Sequence, residues 1–252
     1  MAERTGQAAV VVGGTGALGR AIALRLAAEG ADVAFTYRSN AKGAQALAGE
    51  MDRLGVRSLG MAVAIENPAA VESYVAQVIG TFGRLDTLVY ASGPTFSLEF
   101  VAGVSFEEWS RVMDADVKGC FNIVRAALSH LRDTRGSIVA VVTGGVNKAI
   151  ARDVLSIAPK AAVQSLIRAV ALEEGRFGVR ANCLAPGFIA GGLGASIMDA
   201  VGPDQAKAML KAVPMRRTGT VDEIADAAAY LSSARASYVT GNTLFVTGGM
   251  EL

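Results

Sequence analysis

The sequence carries almost no net charge. Its 252 residues include 24 lysines and arginines against 23 aspartates and glutamates, which leaves a formal charge of +1. A protein that binds nucleic acid or an anionic membrane surface through electrostatics needs a clear excess of basic residues. We therefore expect neither a nucleic acid nor a membrane as a partner.

Residues that bind metals or form disulfides are also scarce. The chain has a single histidine and two cysteines, Cys120 and Cys183, which both lie in apolar or helical surroundings. No cluster of histidine, cysteine and aspartate has the spacing of metal ligands, so no metal site is predicted. We interpret the cysteines as buried free thiols in a reducing compartment, with a disulfide as the lesser alternative.

Long apolar segments and proline-rich stretches are missing as well. No apolar run reaches about 18 residues, the minimum for a transmembrane helix, and the short polar segment 1–7 lacks the features of a signal peptide. Only 6 prolines occur, and 52% of the residues are hydrophobic, which argues against disorder. These absences predict a soluble, cytoplasmic protein.

Glycine, in contrast, is abundant, and four of the 29 glycines lie between positions 13 and 19. They follow the apolar run Val10–Val12. Three of them precede the predicted helix Ala17–Glu29, and Gly19 lies in its first turn. This order is typical of a strand, a tight turn and a helix whose N-terminus faces a pyrophosphate. A glycine turn alone is weak, but the strand before it and the helix after it strengthen the prediction.

Strand-like and helical segments alternate along the whole chain. The predicted strands are Val10–Val12, Asp32–Tyr37, Ser58–Ala64, Thr87–Ala91, Ser137–Thr143, Arg180–Leu184 and Thr243–Val246. The predicted helices are Ala17–Glu29, Lys42–Leu54, Val71–Phe82, Phe106–Leu131, Pro159–Arg176 and Val221–Leu231. This alternation predicts a single α/β domain over residues 1–252, a Rossmann-like doubly wound parallel sheet with helices on both faces. Ligands bind such sheets at the carboxyl ends of the strands.

The residue after the second strand bears on the choice of dinucleotide. An acidic side chain at this place accepts hydrogen bonds from the adenosine ribose of NAD. This chain has Arg38 instead, followed by Ser39 and Asn40, and a guanidinium suits a ribose 2′-phosphate. The sequence therefore favours NADP, with a solvated surface arginine as the alternative.

Further motifs extend over nearly the whole chain and resemble the short-chain dehydrogenase/reductase family, most closely its beta-ketoacyl-carrier-protein reductase branch. They are the glycine turn, Tyr90–Gly93, Val179–Asn182, Ala185–Ile189, Pro214–Arg217, Glu223–Ala225, Tyr238–Gly241 and Gly248–Gly249. The resemblance implies a cofactor site made of Gly13, Thr15, Gly16, Leu18, Gly19, Arg38, Ser39, Ala91, Gly93, Lys160, Pro186, Gly187 and Ile189. It also implies a substrate lid at about 190–213, a homotetramer, and a small-molecule or acyl-carrier-bound carbonyl substrate.

The same resemblance assigns four catalytic positions, of which only Lys160 carries the expected residue. The family's tyrosine acid, four residues before the lysine, is replaced by Ser156. Thr143 stands at the serine position, and Asp116 at the asparagine position. A serine hydroxyl is a far weaker acid than a phenol whose pKa is near 10 and can be lowered by a neighbouring cation. Residue 156 therefore cannot act as the usual proton donor.

Three other side chains are candidates to replace the tyrosine. Tyr90 at the end of the fourth strand is interpreted mainly as a packed aromatic ring. The tyrosine of enoyl reductases lies seven residues before the lysine, but that position here is Asp153, which does not restore the mechanism. Asp153 could act as a neutral acid if buried. We interpret it instead as a solvated loop residue. His130 near the end of a long helix is interpreted as a surface residue.

These observations leave three hypotheses. The first is an NADP-dependent oxidoreductase that reduces a 3-oxoacyl or polyketide-like carbonyl, with the proton supplied by held water or by the substrate itself. The second is a non-catalytic dinucleotide- or acyl-binding partner subunit, and the third is a non-redox enzyme that reuses the fold. The sequence motifs of a dinucleotide site favour the first hypothesis, the NADP-dependent oxidoreductase.

Overall fold

The computed structural model describes residues 3–192 and 202–252. Its described residues contain seven strands, all parallel, in the order β3-β2-β1-β4-β5-β6-β7. They are β1 (Ala8–Val12), β2 (Asp32–Tyr37), β3 (Ser58–Ala62), β4 (Thr87–Tyr90), β5 (Ser137–Val141), β6 (Arg180–Pro186) and β7 (Thr243–Val246). Each predicted strand is present, with ends that differ by at most two residues. The predicted doubly wound sheet is confirmed.

Helices connect the strands and cover both faces of the sheet. They are α1 (Ala17–Ala28), α2 (Ala41–Arg53), α3 (Pro68–Phe82), α4 (Phe106–Met113), α5 (Gly119–Thr134), α6 (Val154–Glu174), α7 (Pro203–Ala212) and α8 (Val221–Ser232). Four of them begin at a side-chain cap, in which Asn40, Asn67, Ser105 or Thr220 accepts a hydrogen bond from the first turn. Such caps satisfy N–H groups that have no partner within the helix.

The predicted helix Phe106–Leu131 is present, but it is not a regular α-helix throughout. A five-residue π-helical turn, Asp114–Lys118, separates α4 from α5. Apolar periodicity runs on through such a turn, so the sequence pattern does not reveal it. The turn matters because Asp116, one of the predicted site residues, lies within it.

Two hydrophobic cores lie on opposite faces of the sheet. Along β1, Val10 and Val12 point into the core that α3, α5 and α6 cover, while Ala9 and Val11 point into the core under α1, α2 and α8. Successive side chains alternate between the faces of a strand, so a strand buried on both sides is a continuous apolar run. Both cysteines are buried and free, as expected.

Helix α6 together with the turn at its C-terminal end, Val154–Phe177, is long and apolar enough to cross a membrane by length and composition. The core helix of a globular domain commonly has the same properties. One face of α6 packs on the sheet through Val163 and Ile167, which are both fully buried. Lys160 projects from the same helix, so α6 connects the core to the candidate site.

The order of the strands reverses between β1 and β4, which are neighbours in space. The chain leaves β1 towards one edge of the sheet and later continues from β4 towards the other edge. Loops after these two strands diverge and leave a crevice, where doubly wound proteins bind their ligands. The glycine turn follows β1, and the segment Ala91–Gly93 follows β4.

Candidate active site

The glycine turn is shaped by contacts that leave no room for side chains. Gly13 has a φ of +85°, and a Cβ on it would lie 2.9 Å from the carbonyl oxygen of Ala91. A Cβ on Gly19 would lie 2.2 Å from the carbonyl oxygen of Gly13. Glycine is required at both positions, since the first has a left-handed conformation and the second packs the helix onto the turn.

Helix α1 begins at this turn without a side-chain cap. Its N-cap residue is Gly16, and no side chain accepts a hydrogen bond from the first turn. The N–H groups there and the positive end of the helix dipole are therefore available to an anion. The close-packed turn and the uncapped helix fit the pyrophosphate of a dinucleotide.

A cleft of about 210 Å³ adjoins the turn on the side of β2. Gly13, Thr15, Gly16, Ala91 and Gly93 line it, together with Arg38, whose side chain is exposed. No ion pair involves Arg38 in the part of the chain that the structure describes. Its guanidinium is therefore not held by a protein carboxylate at the place where an adenosine ribose would lie.

A larger cavity of about 500 Å³ continues from this cleft and shares Gly16, Ala91 and Gly93 with it. All four predicted catalytic positions line the cavity, and so do four more of the predicted cofactor residues. These residues are Asp116, Thr143, Ser156, Lys160, Leu18, Pro186, Gly187 and Ile189. Only Gly19 and Ser39 of the predicted site residues line neither space.

Lys160 is fixed in this cavity by two hydrogen bonds. Its ammonium donates to the carboxylate of Asp116 at 2.8 Å and to the carbonyl oxygen of Ser92 at 2.8 Å. Asp116 is almost fully buried, and the π-helical turn carries it. Such a turn shifts the positions of side chains around the helix axis relative to an α-helix. The ion pair joins α6 to the segment between α4 and α5.

Tyr90 lies behind this ion pair and outside the cavity lining. Its hydroxyl donates to Asp116, with distances of 2.9 Å to the carbonyl oxygen and 3.0 Å to Oδ1. The pKa of Tyr90 is raised well above its usual value, mainly because the side chain is buried and secondly because of the negative charge of Asp116. The phenol is therefore neutral and committed to Asp116, which agrees with its interpretation as a packed aromatic residue.

Thr143 and Ser156 present hydroxyl groups to the same cavity. Thr143 follows β5, and its Oγ1 accepts a hydrogen bond from the N–H of Gly145 at 3.2 Å. Its hydroxyl proton is left for another acceptor, since a hydroxyl both donates and accepts. Ser156 lies in the first turn of α6, one turn before Lys160, and is half-buried.

The interpretation of Asp153 as a solvated loop residue is wrong. Its side chain is only 8% exposed and lines the cavity beside Leu155 and Ile150. Burial alone raises the pKa of this carboxyl to about 6. An acidic residue before a helix normally serves as a solvated cap, so nothing local in the sequence indicates the burial.

Other residues of the cavity come from segments that carry no recognisable motif. Phe96 belongs to the loop after β4, Phe188 to the loop after β6, and Met250 to the C-terminal segment. They give the cavity a largely apolar wall. The predicted lid covers Ala190–Val213. Its residues Gly191 and Gly192 line the cavity, and residues 193–201 lie outside the described part of the chain.

A separate cavity of about 590 Å³ lies at the opposite, amino-terminal edge of the sheet. Arg135, Arg180 and Tyr238 contribute to its lining, and none of the predicted site residues does. The arginine of β6 donates to the main-chain carbonyls of Leu231 and Ser233 there. We interpret this space as a structural crevice between the strand starts and the end of α8.

A doubly wound parallel sheet with a glycine turn at its switch point defines the dinucleotide-binding α/β class. Within that class, this chain belongs to the short-chain dehydrogenase/reductase family of oxidoreductases, whose members use nicotinamide dinucleotides. A family profile described as "Enoyl-(Acyl carrier protein) reductase" matches residues 13–251. The family predicted from the sequence motifs is confirmed.

Three relatives illustrate the similarity. The 3-oxoacyl-[acyl-carrier-protein] reductase FabG of Staphylococcus aureus (strain Mu50) is 33% identical over 249 residues, which cover 98% of each chain. The structure of a blue fluorescent protein from a metagenomic library, in complex with NADPH, has a TM-score of 0.89 at 30% identity and covers 98% of this chain and 99% of its own. NAD+-bound xylitol dehydrogenase has a TM-score of 0.92 at 26% identity, with 98% and 100% covered.

Proposed function

We propose that this chain is an NADP-dependent reductase that transfers hydride to the carbonyl of a 3-oxoacyl or polyketide-like substrate without a tyrosine acid. The observation that carries the proposal is the buried ion pair of Lys160 and Asp116. It lies in the wall of a cavity that is continuous with the glycine-turn cleft. A dinucleotide in the cleft would reach this lysine.

The preference for NADP depends on Arg38. Among the relatives above, one structure holds NADPH and another holds NAD+, so similarity alone does not choose between the two cofactors. An exposed arginine at the adenosine end of the cleft, with no carboxylate partner among the described residues, is a suitable contact for a 2′-phosphate. The first turn of α1 would bind the pyrophosphate.

Positioning is the main contribution of the polar residues. When bound, the dinucleotide supplies the hydride. Lys160, fixed by Asp116 and Ser92, would hold the nicotinamide ribose, and the hydroxyls of Thr143 and Ser156 would orient the substrate carbonyl. Holding reactants in the correct geometry can supply about 7–11 kcal/mol towards the barrier, so a strong acid is not the only source of rate enhancement.

The wall of the cavity that contains Lys160 indicates the kind of substrate. Its apolar side chains come from several segments and include Leu18, Phe96, Leu155, Phe188 and Met250. A pocket with a mostly apolar lining and a few convergent polar groups fits a carbonyl that is attached to an acyl chain. The substrate would be free or bound to an acyl carrier, as the name of the Staphylococcus aureus relative states for that protein.

The test measures cofactor binding and turnover separately. Purified protein is titrated with NADPH and NADH by fluorescence, and oxidation of each cofactor is followed across a panel of 3-oxoacyl thioesters and cyclic ketones. We expect binding that favours NADPH, and turnover of at least one carbonyl. Binding without turnover, both in the wild type and in Ser156→Tyr, would contradict the proposal.

The non-catalytic alternative is favoured by one observation, the serine at position 156. If turnover appears only after Ser156→Tyr, the chain is a reductase fold that has lost its activity and retains dinucleotide or acyl binding. If the wild type turns over and Ser156→Tyr does not improve it, this alternative is wrong.

We also propose that the chain forms a homotetramer in the cytoplasm. Large apolar side chains are exposed on the helices that the family uses for assembly. Phe121 on α5 is 49% exposed, and Leu172 on α6 is 85% exposed. Exposed side chains of this size commonly lie in interfaces between subunits. Sedimentation of the wild type and of Leu172→Asp tests the assembly, with a tetramer expected for the first and smaller species for the second.

A further inference from the structure

We propose that the carboxyl group of Asp153 is the acid that protonates the substrate carbonyl. This inference rests on the proposed reductase function and assigns the proton donor that Ser156 cannot supply. Asp153 lines the cavity of about 500 Å³, in which the substrate would bind, together with Lys160 and Ser156. It immediately precedes α6, the helix that carries both of these residues.

Asp153 differs from the other buried carboxylates in the described ranges. Asp86 is paired with Arg84, Asp116 with Lys160, and Glu174 with Arg132. No ion pair reaches Asp153 among these residues, and its Oδ1 atom is buried without a hydrogen-bond partner. A buried carboxylate without a partner is unfavourable, whereas a neutral carboxyl is tolerated. The environment therefore favours the protonated form.

The carboxyl group does not serve as a helix cap either. The N–H groups of Ser156 and Ile157 donate to the main-chain carbonyl of Asp153, at 3.1 and 3.0 Å. No side-chain cap is present at this helix start, whereas Asn67 and Thr220 cap their helices with side-chain oxygens. The common structural reason for an aspartate before a helix is thus absent here.

The charged groups near Asp153 do not compensate its burial. Lys160 and Asp116, which line the same cavity, are paired with each other at 2.8 Å. The guanidinium of the neighbouring Arg152 donates to the carbonyl oxygen of Leu98. Desolvation raises the pKa of the Asp153 carboxyl to about 6. An acid with a pKa close to the working pH is suited to general acid catalysis.

Atoms and electrons balance in the proposed step. Hydride supplied by a bound dinucleotide would form a C–H bond at the carbonyl carbon, and the π electron pair would move onto the oxygen. The O–H bond of the Asp153 carboxyl breaks as its proton forms the O–H bond of the product alcohol. The carbonyl would be reduced at the expense of the dinucleotide, and Asp153 would be left as a carboxylate. A proton from solution, relayed through water in the cavity, restores the carboxyl before the next turnover, so each turnover consumes one proton from the solvent.

The first test combines turnover with cofactor binding in Asp153→Asn. The amide keeps the shape of the side chain but has no acidic proton. We expect kcat to fall by about 10²–10⁴-fold, while the Kd for NADPH stays unchanged. Asp133→Asn, at an exposed acid on α5, is the matched control and should retain the wild-type kcat.

The second test does not depend on turnover. The wild type is labelled with ¹³C at the aspartate carboxyl carbons and titrated by NMR, and Asp153→Asn assigns the resonance that disappears. We expect this carboxyl to titrate near pH 6. In the wild type, kcat should fall as the pH rises through the pKa of the complex, because the acid must be protonated to donate. The variant should lack this dependence.

Each outcome has a separate meaning. Turnover in the wild type that persists within a few-fold in Asp153→Asn overturns the role of Asp153 and leaves the proposed function intact. The absence of any aspartate resonance that titrates near pH 6 overturns it as well, and this result is obtained even if the variant does not fold. A wild type that binds NADPH but reduces no carbonyl overturns the proposed function and the proton donor with it. Loss of NADPH binding in Asp153→Asn assigns the residue to the cofactor site and contradicts the inference.

Discussion

Lys160 and Asp116 form a buried ion pair, 2.8 Å from Nζ to Oδ1, with side chains that are 12% and 3% exposed. The two residues are 44 positions apart in the chain, and their pairing fixes the lysine against the loop after β4. Tyr90 completes the arrangement from behind by donating to the same carboxylate. Asp116 thus orients the lysine ammonium in this structure.

Loss of the lysine should destabilise the fold as well as abolish function. Lys160→Met leaves the carboxylate of Asp116 buried without a counter-charge, which we expect to lower the free energy of unfolding by about 3–5 kcal/mol. Arg125→Met removes a partner from the exposed pair with Glu72 and should cost no more than about 1 kcal/mol. Urea denaturation measures both variants. Equal effects in the two variants would contradict a buried, compensated pair.

Arg38 is expected to discriminate between the two nicotinamide cofactors. Arg38→Ala removes the cation that would contact the 2′-phosphate, and charge-assisted hydrogen bonds of this kind contribute about 1.5–3 kcal/mol. We expect the Kd for NADPH to rise by about 10- to 100-fold and the Kd for NADH to change little. Arg53→Ala, at the exposed end of α2, controls for the loss of one positive charge. A parallel weakening of both cofactors would contradict the assignment.

The burial of Asp153 predicts a pH dependence of stability that differs from that of a paired carboxylate. An aspartate in the unfolded chain titrates near pH ~4, and the pKa of Asp153 in the folded protein is raised to about 6. The folded state therefore holds the proton more tightly, and this residue lowers stability as the pH rises from about 4 to about 6.

Asp153→Asn should remove this loss of stability. We expect the variant to gain, relative to the wild type, about 2–3 kcal/mol in the free energy of unfolding between about pH 4 and pH 8. Urea denaturation at several pH values measures the difference, with Asp133→Asn as a control for the loss of one carboxylate. Curves for wild type and Asp153→Asn that stay parallel across this range would contradict a raised pKa.

Gly19 and Gly49 offer a matched test of the glycine turn. A Cβ on Gly19 would meet main-chain atoms of Gly13, whereas a Cβ on Gly49 of α2 meets nothing within 4 Å. We expect Gly19→Ala to destabilise the fold by about 1–3 kcal/mol and to weaken dinucleotide binding through the displaced turn. Gly49→Ala should stabilise by about 0.5–1 kcal/mol. Thermal unfolding distinguishes them, and a stable Gly19→Ala that binds NADPH normally would contradict the packing role.

The sheet and the cofactor cleft were predictable because their patterns are local. Strands buried on both faces appear as apolar runs, and the helices between them have a different period. The glycine turn requires a residue type that the sequence displays directly. Gly19 is an instructive case, since the sequence marks it as part of the cofactor site while the structure places it beneath the turn.

The environment of the reacting groups was not predictable in the same way. Asp153 is buried in the wall of a cavity that is also lined by Ile150 and Leu155 nearby and by Phe96 and Met250, which come from distant segments and carry no motif. An aspartate immediately before a helix is a solvent-exposed cap in most proteins. Likewise, the contact of Asp116 with Lys160 depends on a local change of helix type that leaves the apolar pattern intact.

The π-helical turn Asp114–Lys118 gives the helix between β4 and β5 one residue more than regular α-helical bonding would use. Removing Ala115 would let the N–H and C=O groups of this stretch return to an ordinary register. The helical segments on either side would keep nearly the same rotation about the axis, because the wide turn absorbs the extra residue, but the side chains within the turn would project in other directions. The carboxylate that orients the lysine therefore depends on the number of residues in the helix as much as on their identity.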